Sequence, residues 1–214
     1  MKGLFVVFEG IDGAGTTTQA RLLHEALVAQ NVPVHLTQEP SEGPVGTVIR
    51  QFLSGRLVVK GMSGPRPPRW PTMALLFAAD RVDHLETEIL PNLADGITVL
   101  CDRYVFSSLV YQTETSGDFG NLAWIENLNK LAPRPDLTLV LDVPAATAAK
   151  RRQGRREMEQ IYDDLELQER LTRRYRELPT RYPGERIEVV SGEATPQEVH
   201  RTCLELVRRV REAR

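Results

Sequence analysis

Residues 10–18 read G-I-D-G-A-G-T-T-T, which follows the phosphate-binding pattern G-x-x-x-x-G-K-[ST] in all but one position. Gly10 and Gly15 hold the glycine positions and Thr17 the hydroxyl position, while Thr16 stands where the lysine belongs. The chemistry of such a loop is anion binding. Glycines let the chain turn so that successive N–H groups point inward, and the helix that follows adds the positive end of its dipole. Gly10, Ile11, Asp12, Gly13, Ala14, Gly15, Thr16, Thr17 and Thr18 are therefore the candidate nucleotide-binding residues, with the Thr17 hydroxyl placed for Mg²⁺. What the loop lacks is the cationic side chain that reaches the β- and γ-phosphates. Taken alone, the loop also reads as an ordinary glycine-rich turn between a strand and a helix.

A second group with chemical potential is Asp102-Arg103-Tyr104. An acidic residue closing an apolar strand can hold Mg²⁺ or its water shell, and the adjacent arginine can fork onto phosphate oxygens. The plain alternative is an Asp–Arg surface pair. A third is the basic run Lys150-Arg151-Arg152 with Arg155-Arg156, following a helix that starts near Ala145. In isolation such a run reads as a solvated face.

The elements that must position these residues are legible as alternating patterns. Short apolar runs rich in β-branched residues mark strands at 4–8, 34–37, 97–101, 137–141 and 187–190, with helical patterns between them. That alternation predicts βαβ units: an α/β fold of the P-loop NTPase type, with a five-stranded parallel sheet and helices on both faces. Ligands of such sheets bind beyond the carboxyl ends of the strands, so Glu9, Gln38-Glu39-Pro40, Asp102-Arg103-Tyr104 and Asp142 are the residues to weigh. Leu22, Leu23, Ala26 and Leu27 recur at helical spacing behind the loop. Thr195, Pro196 and Glu198 predict a capped start for the last helix, whose Val199, Cys203, Val207 and Val210 form one apolar stripe. Residues 61–71, with four prolines and two glycines, read as an irregular surface loop.

At 214 residues, with 41% apolar and 26% charged side chains, the chain reads as a single domain spanning 1–214. A formal net charge of −2 gives no bulk attraction to nucleic acid or to a membrane surface. Cys101 and Cys203 lie in apolar segments and read as reduced core residues of a cytoplasmic protein. The N-terminal apolar run stops at Glu9, too short for a secretory signal, and no stretch approaches the length of a membrane span. The four histidines are scattered and suggest no metal site. Asn129-Lys130-Leu131-Ala132 lacks the aspartate of a guanine-reading motif and precedes a strand, which argues against a regulatory GTPase.

Taken together, F-E-G-I-D-G-A-G-T-T-T-Q, T-Q-E-P, L-L-F-A-A-D-R, D-R-Y-V-F-S-S-L-V-Y-Q and P-D-L-T-L-V-L-D-V-P resemble the thymidylate kinase family in order and spacing. The resemblance runs from about residue 4 to 143 and weakens beyond. It implies transfer of the ATP γ-phosphoryl group to dTMP, with ATP and Mg²⁺ as cofactors and a homodimer as the assembly. It implies that Phe77 stacks on thymine, that Arg81 donates to a base carbonyl, and that Ser108 and Gln112, one helical turn apart, complete the base contacts. Arg103 and Arg50 would grip the monophosphate. Tyr104 would wall off the 2′ position of the sugar. Asp12 would bond the 3′-hydroxyl or orient the acceptor, and Glu39 would lie near the sugar and metal. Asp102 would hold the metal with Thr17.

The resemblance also implies a mobile lid around 150–160. Some members of the family carry a catalytic arginine in the P-loop and others in the lid. Gly13 occupies the P-loop position here, so the lid cluster is the expected source, with Arg152 and Arg156 preferred over Arg151 and Arg155. Thr16 is the main departure from the family, and Gln38 and Ser191-Gly192 are milder ones. Losing one preorganised donor from a developing charge costs about 10²–10³ in rate. A catalytically impaired nucleotide-binding relative and a kinase for another nucleoside monophosphate are thus the alternative functions.

Overall fold

The computed structural model describes residues 3–62, 64–153, 162 and 164–213. Five parallel strands form the main sheet: β1 (Phe5–Gly10), β2 (Val34–Gln38), β5 (Thr98–Asp102), β6 (Leu137–Asp142) and β7 (Ile187–Ser191), in the order β2-β5-β1-β6-β7. The central strand β1 is buried along its whole length, as is β5. Strands covered on both faces must be apolar throughout, which is why both read as continuous hydrophobic runs. Each sequence-predicted strand is present, extended by one or two polar residues at its carboxyl end. Glu9 pairs with Val140, and Gln38 with Asp102, so the ladder continues after the hydrophobic signal has stopped.

The helices are α1 (Thr16–Ala29), α2 (Pro44–Leu53), α3 (Trp70–His84), α4 (Leu90–Ala94), α5 (Val105–Ser116), α6 (Leu122–Leu128), α7 (Ala145–Gln153), α8 (Leu165–Arg181) and α9 (Pro196–Glu212). A π-helical turn, Leu85–Ile89, joins α3 to α4. The chain leaves β1 toward β2 and then reverses direction across the sheet. Right-handed crossovers therefore put α1 on one face and α3, α5 and α8 on the other. On the first face α9 packs beside α1. The predicted capping box of α9 forms: the Glu198 N–H donates to the Thr195 hydroxyl at 3.3 Å, and the Thr195 N–H donates back to the Glu198 carboxylate at 3.0 Å. Cys101 and Cys203 are free and buried, as expected.

Residues 61–71 depart from expectation. A two-stranded antiparallel hairpin, β3 (Val59–Gly61) with β4 (Gly64–Arg66), occupies the start of that segment. Pro65 and the two glycines read as strand breakers. Yet the hairpin is an edge pair, which tolerates proline, and a Cβ at Gly61 would sit 2.8 Å from the Gly64 carbonyl oxygen. The lid expected around 150–160 falls largely on residues 154–161, outside the described residues. Among the described residues no helix is long and apolar enough to cross a membrane.

Candidate active site

The phosphate loop joins β1 to α1. Gly10, Gly13 and Gly15 adopt φ of 156°, 89° and 103°, and the last two are conformations that a side chain strongly disfavours. The loop closes on itself through Ala14 N–H donating to the Ile11 carbonyl at 3.0 Å. At its far end the Thr17 hydroxyl donates to Asp102 Oδ2 at 2.5 Å. Asp102 Oδ1 is buried and has no hydrogen-bond partner among the described residues. An orphaned carboxylate oxygen beside a hydroxyl is a hard oxygen donor set, the kind that suits Mg²⁺.

Beyond the carboxyl ends of β1, β2 and β5 lies a cavity of about 210 Å³. Asp12, Glu39, Arg50, Phe77, Arg81, Asp102, Arg103, Tyr104, Ser108 and Gln112 all line it, so residues from five separate segments converge. Arg103 sits at φ 71°, a left-handed conformation rare outside glycine, and turns its guanidinium back over the loop. Its Nη2 donates to Asp12 Oδ1 at 2.8 Å, and its Nη1 donates to the Gly10 carbonyl at 3.0 Å and the Ser107 hydroxyl at 3.1 Å.

Arg81 is almost wholly buried. Its Nη2 donates to Glu39 Oε2 at 2.6 Å, to the Tyr104 carbonyl at 3.0 Å and to the Ser108 hydroxyl at 3.1 Å, and its Nη1 donates to Asn129. Among the described residues its Nε has no partner, and neither does the Gln112 Oε1. One orphaned donor and one orphaned acceptor therefore border the same cavity. Glu39 is the counterion of Arg81. His84 Nδ1 approaches it at 3.5 Å. Phe77 is half-buried, leaning on Ile49, Phe52 and Met73 while lining the cavity. Arg50 is fixed to the Pro40 and Ser41 carbonyls.

Tyr104 lines the cavity and also packs into the core. Its ring packs edge-on against Phe5 with centroids 5.1 Å apart, and its hydroxyl donates to the Pro133 carbonyl at 3.3 Å. Tyr111 borders the cavity as well: its hydroxyl donates to Asp12 Oδ2 at 3.3 Å, and Arg103 lies over its ring. Ser107, Tyr111 and Tyr162 are cavity residues that sequence reasoning missed. The signal was there for two of them, since Ser107 and Tyr111 lie four residues apart and share one face of α5.

Supporting residues were also missed. Asp80 accepts from the Ser41 N–H at 2.8 Å and from the Ser41 hydroxyl at 2.6 Å, fixing the loop after β2. Asp142, weighed as a site residue, forms an ion pair with Arg176 of α8, whose Nε–H is shared between the two carboxylate oxygens. Glu9 is fully buried. Its Oε1 accepts from the Tyr104 and Ser107 N–H groups, both at 3.0 Å, and so caps α5, which has no capping side chain of its own. Its Oε2 accepts from the Ser107 hydroxyl at 2.6 Å and the Tyr175 hydroxyl at 3.2 Å. Burial raises the Glu9 carboxyl above its ordinary 4.5, against the opposing pull of those bonds and of Arg103.

A raised carboxyl pKa means that the folded chain holds the proton more tightly than the unfolded chain. The Glu9 contribution to stability is therefore full below 4.5 and is lost as pH rises through the raised value. Glu9→Gln mimics the protonated acid. The gap in unfolding free energy between parent and variant should move in the variant's favour as pH rises from about 4 to 8. Denaturant titrations at several pH values read it, and parallel pH profiles would contradict the assignment.

Arg152 and Arg151 come from α7 and reach the phosphate loop. Arg152 Nη1 donates to the Asp12 carbonyl at 2.5 Å. Arg151 donates to the Ala14 carbonyl at 3.4 Å and to the Gly192 carbonyl at 2.9 Å. Arg156 lies outside the described residues. The geometry thus joins an anion-binding loop, a magnesium-competent oxygen pair and an arginine-lined cavity through Asp12. That is an arrangement able to move a phosphoryl group between two bound molecules.

Comparison with known proteins agrees. Residues 8–203 match the family model described as thymidylate kinase. A protein named probable thymidylate kinase from Pyrococcus abyssi is 39% identical over 208 residues, 97% of each chain. Another from Thermococcus onnurineus is 40% identical over 95% of this chain and 97% of the other. A protein named thymidylate kinase from Ruegeria pomeroyi is 39% identical over 96% of this chain and 94% of the other.

Proposed function

The chain belongs to the thymidylate kinase family, and on that premise we propose how its site transfers the γ-phosphoryl group of ATP to dTMP, giving dTDP. The observation that carries the reading is the convergence of Phe77, Arg81, Arg103, Ser108 and Gln112 on one cavity that meets the phosphate loop at Asp12. The triphosphate lies on the N–H groups of residues 10–18 and the N-terminus of α1. Thr17 and Asp102 hold Mg²⁺, which when bound neutralises charge on the phosphate oxygens.

Thymine slides over Phe77. The orphaned Arg81 N–H meets a base carbonyl, and the orphaned Gln112 oxygen meets the ring N–H, so the base satisfies both buried groups. Arg103 and Arg50 take the monophosphate. Asp12, held between Arg103 and Tyr111, orients the acceptor, and the Tyr111 ring borders the sugar. Phosphoryl transfer is mainly positioning and charge stabilisation, and this is what fixed guanidinium groups supply.

A second copy of the chain is the expected partner, and exposed Leu75 and Val82, seven residues apart on α3, suit an apolar contact. The enzyme works where ATP and dTMP are made and used, in the cytoplasm. Thr16 favours a second reading, a relative that binds nucleotide without turning it over. An acceptor panel tests the assignment. With ATP and Mg²⁺, dTMP should be preferred over dCMP and dGMP by more than about 10²-fold in kcat/KM, since each rejected base leaves a buried polar group unpaired. Equal use of the panel would contradict it.

A further inference from the structure

The Arg81–Glu39 pair is less complete than its chemistry allows. The Nε–H and one Nη–H of a guanidinium point the same way, so a carboxylate on that edge can take both bonds, one on each oxygen. Glu39 takes one. Its Oε2 accepts from Arg81 Nη2 at 2.6 Å, while Arg81 Nε has no partner among the described residues. The second oxygen is turned elsewhere: Glu39 Oε1 faces Nδ1 of His84 at 3.5 Å. A carboxylate only accepts, so the ring nitrogen that faces it carries the proton.

His84 is held for that orientation. It ends α3, and its side chain is fully buried. Its Nε2 lies 2.7 Å from the Thr37 hydroxyl of β2 and 3.2 Å from Glu88 Oε2, in the π-helical turn that follows α3. Glu88 is fixed in turn by His35 of β2, whose Nε2 lies 2.5 Å from Glu88 Oε1. Strand and turn thus grip one edge of the imidazole and leave the other edge for Glu39. We propose that His84 is a positioning residue for base recognition: by holding Glu39 Oε1 it keeps the carboxylate from closing on Arg81 Nε, and so leaves that N–H free for a carbonyl of the base. The assignment deepens the kinase reading above and rests on it. Without the His84 donor, Glu39 turns in place onto Arg81 and the pair becomes bidentate. The base then loses a hydrogen bond although neither Arg81 nor Glu39 has been replaced.

Side-chain amides separate the two edges of the imidazole, because an Asn amide nitrogen falls near Nδ1 and a Gln amide nitrogen near Nε2. His84→Gln keeps the reach to Thr37 and loses the donor to Glu39. It should raise KM for dTMP by about 10- to 10²-fold, with kcat and KM for ATP within about threefold of the parent. His84→Asn keeps the donor to Glu39 and loses Thr37 and Glu88. Its KM for dTMP should stay within about threefold of the parent. A role confined to clamping α3 against β2 predicts the opposite order. A parental KM in His84→Gln, or an equal rise in both variants, overturns the proposal. Thermal melting confirms that each variant folds. If His84→Gln does not, His84→Met, which has no donor, takes its place with the same expectation. Crystal structures of the variants read the geometry without turnover: Glu39 should bond both Nη2 and Nε of Arg81 in His84→Gln, and Nη2 alone in His84→Asn. If the parent makes no dTDP, the kinase reading fails while those structures still decide what His84 does. A Glu39 that has not turned in His84→Gln overturns the assignment.

Discussion

Replacing Arg103 with alanine should lower kcat/KM for dTMP by about 10³-fold while ATP affinity changes less than about threefold. The asymmetry follows from where the side chain is anchored. Its guanidinium bonds Asp12 and Ser107, which line the acceptor cavity, and the Gly10 carbonyl at the start of the loop, whereas α1, whose N-terminus receives the triphosphate, begins at Thr16. Removing it therefore deletes a phosphate donor and also frees Asp12, so two acceptor functions fail together. Arg103→Lys keeps the charge but loses the planar fork, and should still fall by about tenfold or more. Arg103→Gly is the control for the backbone: it relieves the left-handed strain at φ 71° yet should be as inactive as Arg103→Ala. Steady-state kinetics with varied dTMP and separate ATP titrations decide it. A loss confined to ATP affinity would place Arg103 on the donor side instead.

The largest effect on stability should come from Arg81→Leu. Arg81 and Glu39 are 2.6 Å apart with side chains 2% and 3% exposed. Breaking a buried pair by removing one partner leaves the other charge uncompensated and costs about 3–5 kcal/mol. The four groups that Arg81 bonds, Glu39, Asn129, Ser108 and the Tyr104 carbonyl, lose a donor at once. Glu39→Gln introduced into Arg81→Leu should recover part of that loss, since it removes the stranded charge. Denaturant unfolding of the parent and the two variants measures both terms. A single Arg81→Leu cost below about 1 kcal/mol would mean that His84 or water compensates Glu39 fully.

Strand positions were legible because β1 and β5, buried on both faces, must be written in apolar residues. Strand ends were not, because Glu9, Gln38 and Asp102 keep their place in the ladder while breaking the hydrophobic pattern. The phosphate loop was legible because its glycines are demanded by backbone conformation. The acceptor residues were legible only as a set, through family resemblance, since each alone has a bland reading: Phe77 does lean on a core cluster, and Tyr104 does belong to one. The setting of α5 was not legible locally, because its start is held by Glu9, a carboxylate ninety-five residues earlier that accepts the Tyr104 N–H. No local pattern encodes that contact. The β3–β4 hairpin was hidden by the glycines and proline that define it.

The central claim is that this chain phosphorylates dTMP despite Thr16. Phosphorus NMR of the purified protein with ATP, dTMP and Mg²⁺ reads it without coupling enzymes. The account predicts dTDP and ADP growing in equal amounts, with no ADP formed when dTMP is left out. ATP that binds but persists unchanged beside dTMP, in a protein that forms dTDP only after Thr16→Lys, would contradict it.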